Sequence, residues 1–292
     1  MAKWLIAVFV GAGLLRLGSC AVTSRHDYEN ASPVRNFDTI ATRLEAAAAA
    51  SERITLDSIG EVAYEGFAAS IWRVRVEAVE EAKARVLLTG GVHGNEPAGT
   101  ESLVRFIEDL AQTPEVYACV DFDIVPVVNP WGWVHNKRRN RDRCDLNRDF
   151  ASFNAQESRI IRALARDRAY DAVIDLHEDG SARGFYLYRL DNPDEGLCRG
   201  IIERQRALGR PIEQHAWMVM LKTRDGILHA PHWTLVVARM AHQLSMTNWF
   251  RLGGCERSFV FETPSRRAME DRVAMNTTGI ECVLGRFGVL RP

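Results

Sequence analysis

Net charge is almost absent from this chain. Its 37 Lys and Arg stand against 38 Asp and Glu, a formal charge of −1 over 292 residues. That balance gives no electrostatic reason to bind nucleic acid or a polybasic-responsive membrane face. There is no internal repeat and no long low-complexity tract, which excludes a repeat architecture. The alanine run from Ala46 to Ala50 is ordinary helix. Cysteine is scarce, and Cys20, Cys119, Cys144, Cys198, Cys255 and Cys282 never fall at CxxC spacing. A cysteine zinc site is therefore excluded. What the chain does have is apolar content: 47% of residues, enough for a full core and against global disorder. The length suits one large or two modest domains.

One apolar run stands apart. Leu5 to Leu15 follows Lys3, with the length of a signal-peptide core and too few residues to cross a bilayer as a helix. It ends in Leu17-Gly18-Ser19-Cys20, which resembles a bacterial lipobox, where cleavage precedes a cysteine that then carries lipid. An ordinary signal peptide with a chance cysteine, or a misassigned start, are the competing readings. The expectation is a signal over residues 1–20, a polar tether and the start of a first helix over 21–45, and a folded domain over 46–292. The protein would be exported, periplasmic or held at a membrane through a lipidated Cys20, with a cytoplasmic location as the alternative. Lipidation would leave five cysteines, an odd number, so at least one would be unpaired or joined to another chain.

Two β-rich runs come first, Arg53 to Ile59 and Ser70 to Val76, and the glycines Gly60 and Gly66 between them predict a hairpin. Val86 to Val92 is continuously apolar and bounded by glycine, the pattern of a strand buried on both faces. Pro97 opens a helix carrying Leu103, Phe106, Ile107 and Leu110. Phe122 to Val128 predicts a strand that Pro126 weakens. Residues 129–150 predict a long loop with Trp131-Gly132-Trp133 and a dense basic cluster. A helix from about Gln156 to Asp167 leads into the strand Ala172 to Leu176. Residues 184–188 predict a strand, 196–208 and 231–244 helices, 258–261 a last strand, and Met269 to Phe287 a final helix. Strands alternating with helices imply an α/β fold with a mostly parallel or mixed sheet.

Three pieces of chemistry sit where apolar strands end. His93-Gly94-Asn95-Glu96 follows the first buried strand, His177 closes a second, and Glu262 closes a third. Ligand sites in α/β sheets lie at such C-terminal ends. Two histidines and a carboxylate make a three-ligand zinc site with an open position, and a further carboxylate supplies the proton carrier. Taken singly, each residue also has an ordinary reading. His93 reads as a hydrogen-bonded core histidine, Glu96 as an acid at a helix N-terminus, His177 with Asp175 as a buried polar pair, and Glu262 as a solvent-facing strand-end acid. A carboxyl desolvated at an apolar strand end would instead have a raised pKa suited to a general base. Arg138, Arg139, Arg141, Arg143 and Arg148 concentrate positive charge beside this acidic centre. A guanidinium there would pair with a substrate carboxylate, although most of these arginines read equally as a solvated loop.

Five ordered motifs then carry a resemblance: His93-Gly94-Asn95-Glu96, Val127-Val128-Asn129-Pro130-Trp131-Gly132, Asp145-Leu146-Asn147-Arg148-Asp149-Phe150, Asp175-Leu176-His177-Glu178 and Phe261-Glu262-Thr263-Pro264. In order and context they resemble the M14 zinc carboxypeptidase superfamily over roughly residues 50–290. The HGNE and DLNR forms are also similar to its aspartoacylase and succinylglutamate desuccinylase branch. The resemblance implies a mixed, eight-stranded-type central sheet flanked by helices and one Zn²⁺ per chain held by His93, Glu96 and His177. It implies Glu262 as general base and then acid to the leaving amine, and Asp145 as the carboxylate orienting the first zinc histidine. Asn147 and Arg148 match the pair that grips the substrate carboxylate. Arg138 is the best-spaced match to the arginine that stabilises the oxyanion, with Arg139 the alternative, also in reach of substrate. Zinc-activated water would attack an amide carbonyl.

The chain departs from the digestive carboxypeptidases at Asn95, where they carry an arginine. Tyr186 and Tyr188 do not match their mobile-loop tyrosine, and the specificity pocket is expected within residues 210–257. Three functions follow. The first is a metallocarboxypeptidase acting on a peptide with a free carboxylate, with peptidoglycan stem peptides a natural class for an exported enzyme. The second is an N-acyl amino acid deacylase. That branch usually adds a β-rich domain of about a hundred residues after the catalytic glutamate, whereas 292 − 262 = 30 residues follow Glu262 here. The third is a non-catalytic zinc-binding lipoprotein, disfavoured because the ligands and Glu262 are all present.

Overall fold

The computed structural model describes residues 27–28, 31–113, 115–166, 168–218 and 221–287. The apolar run Leu5 to Leu15 and Cys20 lie outside them. In chain order the strands are β1 (Ile54–Tyr64), β2 (Phe67–Val76), β3 (Ala84–Gly90), β4 (Val120–Val125), β5 (Ala172–Asp179), β6 (Tyr186–Leu190), β7 (Trp217–Met218), β8 (Leu221–Lys222), β9 (Ile227–Ala230) and β10 (Arg257–Pro264). The helices are α1 (Asp38–Ala50), α2 (Pro97–Gln112), α3 (Pro130–Val134), α4 (Gln156–Ala165), α5 (Glu195–Ala207), α6 (His232–Met240), α7 (Met246–Leu252) and α8 (Met269–Gly285).

Eight strands form one sheet in the order β1-β2-β4-β3-β5-β10-β6-β9, and β7 pairs with β8 apart from it. The four middle strands β4, β3, β5 and β10 are parallel. The hairpin and β6 join antiparallel, so the sheet is mixed and the fold is α/β. Side chains on a strand alternate between faces. Val86 and Leu88, Ile174 and Leu176, and Phe259 and Phe261 therefore enter one core together, against α1, α2, α5 and α8. Leu87 and Val173 enter the opposite core, with Ile161 of α4 and Phe250 of α7. Asp175, His177 and Glu262 share parity with Val173 and Val260, so they face this second side. The chemistry thus projects from one face of the sheet, at the C-terminal ends of its parallel strands. Removing a side chain such as the fully buried Phe261 would cost about 3–5 kcal/mol.

Several boundaries differ from the sequence reading. Gly60 lies inside β1, at a bulge next to Ser58, and the chain reverses at Glu65-Gly66, where Gly66 takes φ +74°. β4 stops at Val125, one residue before the proline that would have lost a ladder bond. The stretch read as loop between 129 and 150 contains α3, started by Pro130 at its first position and by the Asn129 side chain accepting from Gly132 N at 2.9 Å. It also contains a 3₁₀ turn, Leu146–Arg148. α1 spans Asp38–Ala50, and ahead of it Val34 and Arg35 both donate their amides to Val134 O, at 2.8 and 3.1 Å. The part of the expected tether just before α1 is docked on the domain. No helix among the described residues is long and apolar enough to cross a membrane.

Candidate active site and metal centre

β3 ends at Gly90, and the next residues turn sharply before α2 begins at Pro97. His93 and Glu96 lie in that turn, and Glu96 occupies the N-cap position of α2. Its carboxylate does not cap its own helix. A neighbouring strand supplies the cap instead, through Glu178, which accepts from Ala98 N at 2.5 Å. Arg272 of α8 pairs with the same carboxylate. Glu96 is thereby left facing the histidines.

The three expected ligands come together. His93 Nδ1 lies 2.8 Å from Glu96 Oε1, and His177 Nδ1 lies 2.7 Å from Glu96 Oε2. The imidazole rings are 4.7 Å apart between centroids. One ligand atom from each of His93, Glu96 and His177 falls within 4.8 Å of the others, and all three residues are buried. The opposite nitrogen of each ring meets a carboxylate. His93 Nε2 lies 3.2 Å from Asp145 Oδ1, and His177 Nε2 lies 2.8 Å from Asp175 Oδ2. A carboxylate at Nε2 holds the proton there and leaves the Nδ1 lone pair for a cation. This donor set, two imidazoles and one carboxylate with orienting acids behind them, fits a divalent transition metal.

The same proximities set the charge states. Burial opposes ionisation of Glu96, but His93 and His177 outweigh it and hold the carboxylate well below its usual range. Burial likewise opposes charge on His177, and Asp175 with Glu96 outweighs it, raising that imidazole well above 6.5. Each group is therefore held in a form that depends on its neighbours. Such mutually stabilised charges away from water are costly when one is removed.

Glu262 pairs with His177 across β10 and β5 in register, so the two side chains stand side by side. It is partly exposed and makes no ion pair among the described residues. Burial, with Glu96 and Asp179 adding repulsion, pushes its carboxyl up to about 8. That is the state expected of a proton carrier near neutral pH.

The arginine loop sorts itself by partners. Arg138 reaches the centre, with Nη1 3.3 Å from Glu96 Oε1 and Nε 3.2 Å from Asp145 Oδ2. Arg139 turns away and donates to Arg143 O at 3.2 Å. Arg148 donates to Asn147 O at 2.6 Å and has no carboxylate within ion-pair distance among the described residues. Asn147 is more engaged than expected of a substrate-gripping side chain. Its Oδ1 accepts from Met246 N at 3.1 Å, and its Nδ2 lies 3.3 Å from His177 Nε2.

Four residues of the site were given no role by the sequence reading. Asp175 was seen only as a neighbour of His177, yet it orients that ring and is itself held by Thr89 Oγ1 at 2.8 Å. The alternation Asp175, His177 along one strand face was the available signal. Glu178 caps α2 from a distance, which no local pattern reveals. On β6, Tyr186 stands opposite Glu262 and Tyr188 opposite Val260, and Tyr186 donates to Asp179 Oδ2 at 2.9 Å. Burial and the Glu262 charge raise both phenols, so they stay protonated donors in this wall.

Residues 82–215 match the sequence family described as succinylglutamate desuccinylase/aspartoacylase catalytic domain. The chain is 32% identical over 158 residues to "Carboxypeptidase 2" of Trichophyton rubrum, a stretch that is 47% of this chain and 29% of that protein. The chain thus spans about three tenths of the length of the curated relatives it matches. Among solved structures, a metallo-carboxypeptidase from Burkholderia cenocepacia superposes with TM-score 0.66 at 16% identity, covering 86% of this chain and 69% of the other. Bovine thrombin-activatable fibrinolysis inhibitor, in complex with tick carboxypeptidase inhibitor, superposes with TM-score 0.67 at 14% identity, covering 89% and 98%. At these identities the structural likeness is one of fold.

Proposed function

We propose that the chain is a member of the M14 carboxypeptidase-like superfamily and a zinc-dependent amide hydrolase, a metallocarboxypeptidase acting on a peptide with a free carboxylate; the match of residues 82–215 and the 32% identity over 158 residues support this reading. The observation that carries this reading is the pair of imidazoles turned toward one buried glutamate, each backed by its own carboxylate. Held by His93, Glu96 and His177, one Zn²⁺ would supply Lewis-acid polarisation of the scissile carbonyl and acidify a water.

The chain's own groups do the rest. Glu262 takes the proton of the attacking water as oxygen adds to the carbonyl carbon. It returns that proton to the nitrogen as the C–N bond breaks and the amine leaves. Arg138 is the cation nearest the ligands, suited to stabilise the oxygen that gains negative charge. Arg148, with no carboxylate within ion-pair distance among the described residues, is the group suited to bind the terminal carboxylate, and Asn147 holds the base of that loop beside His177. The protonated Tyr188 adds a donor along the wall occupied by Glu262, while Tyr186 donates its hydroxyl hydrogen to Asp179.

The match of residues 82–215 to a deacylase catalytic domain supports a second reading, hydrolysis of N-acyl amino acids by the same residues. One experiment separates the two. Free-carboxyl peptides, amidated copies, peptidoglycan stem peptides and N-acyl amino acids are incubated together with the protein, with and without chelator, and products are read by mass spectrometry. Chelator-sensitive loss of single C-terminal residues, or cleavage within stem peptides, is the expected result. Release of free acyl groups with every peptide intact would transfer the protein to the deacylase reading, and no product from any substrate would sink both. Export and lipidation at Cys20 rest on residues 1–20 alone. The intact mass of membrane-extracted protein tests them, and an unprocessed, unmodified N-terminus would remove that part of the proposal.

A further inference from the structure

The loop bearing His93 and Glu96 is not self-supporting. A Cβ built on Gly94 would lie 1.9 Å from Gly132 C and 2.2 Å from Trp133 N, so the loop presses backbone to backbone on α3. Only glycine allows that approach. Close packing leaves the Gly94 carbonyl in need of a donor, while Trp133 O already accepts from Asn136 N at a long 3.4 Å. Arg35 donates to both. Its Nη1 donates to Gly94 O at 2.9 Å and to Trp133 O at 2.7 Å, and its Nη2 donates to Asn136 Oδ1 at 2.8 Å. The guanidinium also sits over the Trp133 ring, 5.3 Å from its centroid. Its own backbone is fixed by Val134 O, as is that of Val34.

The position of Gly94 gives this clasp its meaning. The residue before it is one ligand, and the second residue after it is another. Moving Gly94 moves both His93 and Glu96. We propose that Arg35 is a positioning residue for the metal centre: by joining Gly94 O to Trp133 O it fixes the backbone between two ligands. It lies ahead of α1 and outside residues 82–215, so a domain defined by those residues alone would lack it. The inference rests on the zinc reading of His93, Glu96 and His177. A planar fork with several fixed donors can span two carbonyls and a side-chain amide at once, which an ammonium cannot.

The test uses the full chain as wild type, Arg35→Met and Arg35→Lys. Methionine keeps an apolar stem over Trp133 and removes every donor. Zinc affinity is measured by competition with a chromophoric chelator, the cobalt-substituted absorption spectrum is recorded, and unfolding of the metal-free protein is followed separately. Arg35→Met should bind zinc about 10- to 100-fold more weakly, the range for lost supports behind metal ligands, with shifted cobalt bands. Arg35→Lys should fall between, since it reaches one carbonyl only. If Arg35→Met is less stable but keeps wild-type zinc affinity and cobalt spectrum, Arg35 merely docks the N-terminal segment and the proposal is overturned. Should Arg35→Met fail to fold, unchanged zinc affinity in Arg35→Lys overturns it equally. A wild-type chain that binds no zinc would instead sink the site reading, and the clasp with it.

Discussion

The two histidines of the centre are built in opposite ways. His177 sits on β5, with its orienting acid two residues earlier on the same strand face and its neighbour Glu262 in register on the next strand. Its orienting acid and its neighbour Glu262 are placed by sheet geometry, and Asn147 and Glu96 reach the ring from loops. His93 sits in a turn, and its orienting acid, Asp145, comes from another loop 52 residues away in sequence. That loop also brings Arg138 to the centre. The strand half is therefore rigid by construction, whereas the loop half depends on contacts between irregular segments: Gly94 against Gly132, Asn129 across the turn, and Arg35 over both. A sheet supplies precision for a ligand, and loops supply the groups that must also meet substrate.

The largest expected effect lies in the strand half and separates chemistry from metal binding. Glu262→Gln keeps shape and leaves all three ligands, but cannot accept a proton. Turnover should fall by about 10²- to 10⁴-fold while zinc content, read by atomic emission, stays at one per chain. Wild-type turnover in that variant would remove Glu262 from the mechanism. The same group sets a pH expectation. As a base it must be ionised, so kcat/KM rises with pH through its pKa. Burial and the neighbouring acids push that pKa from the ordinary 4.5 up to about 8, and a bound cation pulls it back down. The acid limb should therefore lie between those two values, and it should vanish in Glu262→Gln. A limb at or below 4.5 in the wild type would contradict the raised pKa.

The two orienting acids compare the halves directly. Asp175→Ala and Asp145→Ala should each weaken zinc binding by about 10- to 100-fold, since each frees a ring that it holds. Their effects on the metal-free fold should differ. Asp175 is fully buried with Thr89, so its loss strands a buried donor and costs about 1–3 kcal/mol. Asp145 keeps a side chain 16% exposed, where water can take its place. Chemical denaturation of both apo variants checks this. Equal losses of stability would mean that the loop half is as dry as the strand half.

The same division explains what the sequence revealed. The positions of the candidate ligands and the parallel core were legible because a buried strand leaves a run such as Val86-Leu87-Leu88 and a register that puts its last residue at the sheet's end. Ordered motifs did the same for Asp145 and Glu262. What stayed hidden depends on contacts between distant segments. Nothing around Arg35 marks it as the partner of Gly94 O, 59 residues on. Glu178 looks like one acid among several, and only the fold brings Ala98 N and Arg272 to it. Arg138 and Arg139 are neighbours with equal charge, and the choice between them is made by which direction the loop turns, not by composition. Tyr186 is brought opposite Glu262, and Tyr188 opposite Val260 on the same strand, by pairing that sequence spacing does not encode.

Arg148 gives the smallest effect and sharpens the comparison where substrate enters. Most cations near the centre already have a partner: Arg138 holds Glu96 and Asp145, and Arg272 holds Glu178. Arg148 has a backbone carbonyl and no carboxylate among the described residues. A guanidinium left in that condition at a half-buried position has capacity for an incoming anion. Arg148→Ala should therefore raise KM about tenfold for free-carboxyl substrates, one lost charge-assisted hydrogen bond of about 1.4 kcal/mol. It should change KM little for amidated copies and leave zinc content alone. If both substrate forms weaken equally, Arg148 supports the loop through Asn147 and does not read the carboxylate. The loop half would then be aimed inward at the metal alone, and recognition of the substrate terminus would have to come from another part of the cleft.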